Sequence, residues 1–126
     1  MSDKEMRAVF AETLIELASK DKNIVLLEAD LAKSSGTLSF KKQFPDRFFD
    51  VGVAEANMVG ISAGLSVTGK IPIASTFACF ASRRAYDQFF ISCNYAKLML
   101  SLLAATPESQ QHSTAERICL LKILPL

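Results

Sequence analysis

The run Ile24-Val25-Leu26-Leu27 constrains this chain most: four apolar residues in a row, without the alternation of a strand that has one face in water. Such a run reads as a strand buried on both faces, which needs helices above and below it. The flanking sequence supplies them. Before the run, Met6, Val9, Phe10, Leu14, Leu17 and Ala18 fall at helical spacing, with Ser2 as the N-cap and the polar stretch Ser19 to Asn23 as the stop. After it come a loop from Leu31 to Thr37, a short helix around Leu38 to Gln43 that stops before Pro45, and a second strand from Phe48 to Val53. A helix then runs from Glu55 to a stop at Gly69, its small residues Gly60, Ala63 and Gly64 allowing close approach to a neighbour. Ile71 to Ser75 is a third strand, Phe77 to Cys93 a long helix, and a fourth strand begins at Leu98. Strands alternating with helices predict an α/β fold: a parallel sheet with helices on both faces, and ligands at the C-terminal ends of its strands.

With 126 residues, half of them hydrophobic, the chain has material for one core and therefore one domain. Fourteen basic and thirteen acidic residues leave no electrostatic footprint for nucleic acid or an anionic membrane, so small ligands or protein partners are expected. No apolar stretch approaches the roughly 18 to 20 residues of a membrane span, and the start MSDKEMRAVF carries charges where a signal peptide is greasy. A cytoplasmic location is expected. Cys79, Cys93 and Cys119 lack any CxxC spacing, and His112 stands alone, which fits neither a disulfide framework nor a zinc site.

The strand-end rule directs attention to Asp30 to Ser35, Val53 to Asn57 and Thr76 to Phe80. Glu55 lies in the first turn of a helix, where backbone N–H groups favour an anion, so helix-terminal electrostatics alone could explain it. Its neighbours Val53, Ala54, Ala56 and Met58 suggest a dry site instead, where an unpaired carboxylate costs several kcal/mol unless a ligand hydrogen-bonds to it. Phe77 and Phe80, three residues apart, are either core or a surface on which a flat heteroaromatic ligand stacks.

The blocks ADLAKSSGT, GVAEANMVGISAGL, GKIPIASTFACF and RRAYDQ together resemble the pyrimidine-binding domain of transketolase, a thiamine diphosphate-dependent enzyme, and more particularly the C-terminal half of a split transketolase. The resemblance runs from about Met6 to Leu98. It implies that Glu55 is the acid that protonates N1′ of the cofactor's aminopyrimidine, driving the ring toward an imino form whose 4′-nitrogen takes the proton from thiazolium C2. It similarly implies that Phe77 and Phe80 line the pyrimidine pocket, that Asp30 faces the cofactor, and that Ser34 faces the sugar phosphate across a subunit interface. Arg83 and Arg84 fit a phosphate contact or a surface charge equally well, and neither is assigned. The family's Gly-Asp-Gly and Asn motif is missing, so the magnesium and the diphosphate are expected on an N-terminal partner subunit, in an oligomer that moves a two-carbon ketol unit between sugar phosphates of the pentose phosphate pathway. Deoxyxylulose-phosphate synthase, a 2-oxoacid dehydrogenase E1 β subunit and a non-catalytic interaction or regulatory fragment are the alternatives.

After Leu98 the resemblance stops, and MLSLLAATPESQQHSTAERICLLKILPL follows. Reading each codon from the last base of the preceding one permits NVKFVGSDPGISAALNGGTHLSVEDIAV, which is similar to transketolase again. Residues 1–98 are therefore expected to form the N-terminal part of the pyrimidine-binding domain, and 99–126 a divergent, frameshifted and poorly ordered tail on a truncated chain that is inactive alone. On this reading His112 and Cys119 have no function, Pro107 to Glu116 is an unstructured polar run, and Ile118 to Leu126 is an exposed apolar end.

Overall fold

In a computed structural model describing residues 5–105 and 119–123, the apolar run becomes β1 (Ile24–Glu28), and all five of its residues are buried. It lies inside a five-stranded sheet with β2 (Phe48–Asp50) on one side and β3 (Ile71–Phe77), β4 (Leu100–Ala105) and β5 (Cys119–Ile123) in order on the other. The first four strands are parallel, with Leu26 opposite Phe48 and Ile73, and Glu28 opposite Asp50 and Ser75. β5 departs from the expected parallel order and pairs antiparallel with β4, Cys119 beside Ala104 and Ile123 beside Leu100. An edge strand can reverse in this way because antiparallel neighbours need no helical crossover.

The period of two along β1 divides the core. Val25, Leu27 and Ala29 face Met58, Val59 and Ala63 of α4 (Glu55–Val67), together with Ala81, Ala85, Phe89 and Cys93 from the segment after β3. Ile24 and Leu26 face the other way, toward Leu14 and Ala18 of α1 (Met6–Lys20) and Phe40 of a later short helix. Leu26 and Leu27 have no exposed surface, and burying each stabilises the fold by about 1.5–3 kcal/mol. α1 turns Ala11, Leu14 and Ala18 inward and leaves Val9 and Leu17 exposed, a narrower stripe than the sequence pattern gives. Glu5 occupies its cap position, whereas Ser2 lies outside the described residues. Its C-terminal end is closed by Arg47, whose Nη1 donates to the carbonyls of Ala18 at 2.9 Å and Asp21 at 3.1 Å.

The loop after β1 folds into α2 (Ala32–Ser35) and α3 (Leu38–Gln43), with Gly36 between them at φ 78°. α4 ends as expected at Gly69, where φ is 84° and the Lys70 N–H donates back to the Leu65 carbonyl at 3.1 Å. Among the described residues Gly60 and Gly64 look into open space instead of a neighbouring helix, since a Cβ at either would meet nothing within 4 Å. The expected long helix is broken: α5 (Ala78–Arg84) stops at the fully buried Ala85, and α6 (Tyr86–Gln88) leads into a π-helical segment, Phe89–Tyr95. No Pro or Gly marks this break in the sequence. In the segment expected as a tail, 100–105 form β4 and Cys119–Ile123 form β5. His112, the polar run Pro107 to Glu116, Ile118 and the last three residues lie outside the described residues.

Candidate active site

Parallel register brings the C-terminal ends of β1, β2 and β3 to one edge of the sheet. The turn after β2 is tightly specified there. The Val51 N–H extends the ladder to the Glu28 carbonyl at 2.9 Å, and Asp50 Oδ1 accepts the N–H groups of Asp30 at 3.0 Å and Gly52 at 3.1 Å. Gly52 takes φ 72°, a conformation that favours glycine, and the chain enters α4 with Ala54 at the cap. Ala54 offers no side-chain acceptor, so the free N–H groups of the first turn are left to other acceptors. Glu55, the first residue of α4, is 3% exposed.

Opposite Glu55, the end of β3 runs directly into α5. Phe77 closes the strand and Phe80 lies one helical turn on, their ring centroids 5.8 Å apart and their planes inclined by 32°. Arg84, four residues after Phe80 and so on the same helix face, lays its guanidinium 4.1 Å over the Phe80 ring. The same guanidinium reaches Glu55, with Nη1 at 3.3 Å from Oε1 and 3.4 Å from Oε2. Glu55, Phe77, Phe80 and Arg84 thus form one cluster in which the guanidinium bridges a buried carboxylate and an aromatic pair. Such a cluster can hold a flat ring that bears a basic nitrogen: the carboxylate addresses the nitrogen and the phenyl face takes the ring. Thr76, buried and adjacent to Phe77, keeps a hydroxyl without a hydrogen-bond partner among the described residues.

Asp30 and Ser34 belong to a neighbouring part of the same edge. Asp30 is exposed and holds φ 59°, and its backbone N–H is tied to Asp50. Ser34 is partly buried in α2, and its carbonyl accepts Arg7 Nη1 at 3.5 Å.

Beneath that loop lies a residue that the sequence reading overlooks. Glu28 is fully buried, and its Oε1 accepts the hydroxyls of Thr37 at 2.6 Å and Ser35 at 2.8 Å, while Oε2 has no well-aligned partner among the described residues. Burial pushes its carboxyl above the ordinary value of 4.5, helped by the charge of Asp50, and the hydroxyls of Thr37, Ser35 and Ser75 only partly oppose it. Its one legible signal is an acid directly closing an unalternating apolar run. Arg84 is also missed, although the i, i+4 spacing to Phe80 places both on one helix face. Of the cysteines, Cys79 is exposed and Cys93 is buried, its thiol pushed up to about 11 by desolvation, which makes it an inert core residue.

Residues 2–117 match the family model described as "Transketolase, pyrimidine binding domain". The chain belongs to this family. Among curated relatives, a putative transketolase C-terminal section of Methanocaldococcus jannaschii is 43% identical over 128 residues, covering 97% of this chain and 40% of that protein. A 6-deoxy-6-sulfo-D-fructose transketolase subunit of a Clostridium species is 40% identical, over 95% of this chain and 39% of its own length. A 1-deoxy-D-xylulose-5-phosphate synthase of Mycolicibacterium gilvum is 36% identical, over 94% and 19%. This transketolase-family chain therefore spans about two fifths or less of these relatives. Among solved structures, a split gene transketolase described as an inactive β4 tetramer superposes with a TM-score of 0.71 at 48% identity, over 78% of this chain and 33% of that one. The family match continues past Leu98, where the resemblance read from the sequence stops. No helix among the described residues is long and apolar enough to cross a membrane.

Proposed function

We propose that this chain provides the aminopyrimidine side of a thiamine diphosphate site in a two-chain transketolase, whose reaction moves a two-carbon ketol unit between sugar phosphates. The observation that carries the proposal is Glu55, a carboxylate buried to 3% exposure in the first turn of α4 and joined to the Phe77–Phe80 pair through the Arg84 guanidinium. These residues fit the group. The carboxylate suits a basic ring nitrogen, the rings suit its flat face, and the orphaned Thr76 hydroxyl is the kind of buried atom that a polar ligand satisfies. When bound, thiamine diphosphate supplies a nucleophilic thiazolium carbon able to take up and release a two-carbon fragment.

In this reading Glu55 holds a proton at the ring nitrogen N1′. Phe80 and Phe77 fix the ring plane and exclude water, while Asp30 faces the cofactor and Ser34 the sugar phosphate of a neighbouring chain. An N-terminal transketolase subunit holds magnesium and the diphosphate, consistent with the share of the relatives' length that this chain covers. The inactive β4 tetramer among the solved relatives supports a chain that assembles but does not turn over alone.

The test mixes the purified chain with an N-terminal transketolase subunit and titrates thiamine diphosphate in magnesium buffer by calorimetry. Binding that requires both chains and weakens by about tenfold or more in Glu55→Ala is expected, the loss of one buried charged hydrogen bond being worth about 1.5–3 kcal/mol. A stable complex that binds the cofactor equally well with and without the Glu55 carboxylate refutes the assignment. Product analysis separates ketol transfer from the deoxyxylulose-phosphate synthase reading, which the relative from Mycolicibacterium gilvum keeps open.

We also infer that residues 99–126 are encoded in a shifted frame, leaving 1–98 as the native part of the domain. The alternative-frame string containing GGTH and SVED supports this. The family match continuing to residue 117 pulls the other way, so the question is decided in the gene. A nucleotide read across the codons for Tyr95 to Thr106 that restores a base supports the inference, and a confirmed frame ends it.

A further inference from the structure

In the free chain, the two groups assigned to the aminopyrimidine are already engaged by one side chain. The Arg84 guanidinium contacts both oxygens of Glu55 at 3.3 and 3.4 Å, and the same planar group stacks 4.1 Å over the Phe80 ring. A guanidinium is flat, delocalised and rich in N–H donors, so it presents to a carboxylate and a phenyl face what an aminopyrimidine would present. We propose that Arg84 is a positioning residue that stands in for the pyrimidine ring in the unliganded site and must swing out when the ring enters. The inference rests on the reading of Glu55 and Phe80 as pyrimidine contacts.

Burial explains why a stand-in is needed. Glu55 is 3% exposed, and a buried carboxylate without a partner is costly, so an empty site lacking Arg84 would leave Glu55 without its charged neighbour or force it to reorient. Arg84 itself is 48% exposed and sits at the last turn of α5, next to the break at Ala85. Its head can therefore move into solvent by side-chain rotation, while Phe80 and Phe77 stay in place on the helix start and strand end. The ion pair links residues 29 apart in sequence, from the beginning of α4 and the end of α5.

Competition makes a prediction opposite to that of an ordinary binding residue. Removing Arg84 should tighten cofactor binding, because no guanidinium has to be displaced. In the assembled two-chain protein, thiamine diphosphate in magnesium buffer is titrated into wild type, Arg84→Met, Arg84→Gln and Glu55→Ala. Either arginine variant is expected to bind about two- to fivefold tighter, the range for releasing a half-exposed ion pair. In parallel, the Arg84 Nε–H resonance of arginine-labelled chain reports stacking over Phe80 as an upfield ring-current shift. That shift is expected to vanish in proportion to bound cofactor. Unchanged or weaker binding in the arginine variants, or a ring-current shift that survives saturation, overturns the proposal and leaves the Glu55 assignment standing. If Glu55→Ala leaves affinity unchanged, the pyrimidine reading fails and this inference fails with it.

Discussion

Replacing Thr37 by Val tests how the loop after β1 is held against the sheet. Thr37 is fully buried, and its hydroxyl donates at 2.6 Å to Glu28 Oε1, which also accepts the Ser35 hydroxyl at 2.8 Å. Valine preserves the shape and removes the donor. A hydrogen bond to a charged group contributes about 1.5–3 kcal/mol and one to a neutral group about 0.5–1.5, so the loss depends on whether Glu28 is ionised. Burial raises the Glu28 carboxyl above 4.5, and the folded chain therefore holds that proton more tightly than the unfolded chain. Stability from this group is complete below about pH 4.5 and is lost as the pH climbs through the raised value. Removing the Thr37 donor raises the folded value further, which steepens that loss. Thr37→Val is therefore expected to destabilise by about 1.5–3 kcal/mol where Glu28 is charged and by about half as much at pH 4. Urea unfolding followed by far-UV circular dichroism over a series of pH values rising from about 4 follows the loss as Glu28 gives up its proton. A loss that stays the same across the whole series would refute the reasoning, since the hydroxyl would then not be sensing a charge.

Met58→Ala, at a position with no exposed surface between α4 and the sheet, is expected to cost about 2–5 kcal/mol in the same assay. Asp30 holds φ 59°, so Asp30→Gly is expected to leave stability within about 0.5 kcal/mol, whereas Asp30→Ala costs about 1 kcal/mol more. Cofactor affinity measured on the glycine variant then reports the carboxylate apart from the backbone.

The elements legible in the sequence are those whose burial is set by neighbours close in the chain. Ile24 to Leu27 announces a doubly covered strand because β1 has partners on both sides, and Gly69 announces the end of α4 because only a left-handed residue closes that turn. Glu55 and the Phe77–Phe80 pair are legible from their places at strand ends. Arg84 is not. Its partner lies 29 residues away, and a charge on a helix start-to-end pattern reads as surface until α4 and α5 are brought together. Glu28 hides for the opposite reason: an acid at a strand end looks solvated, and only Thr37 and Ser35 folding back over it close the site. The reversal of β5 and the break at Ala85 depend on tertiary packing and leave no local mark.

The reversal of β5 bears on how the molecule can be handled. β5 begins beside Ala104, at the sheet edge that carries Glu55, and runs to Ile123 beside Leu100. At about 3.3 Å per residue, its five residues carry the chain roughly 15 Å to the far edge. A dye or surface tether fixed at Ile123 would therefore sit away from the site, and could report assembly with a second chain without competing for the cofactor.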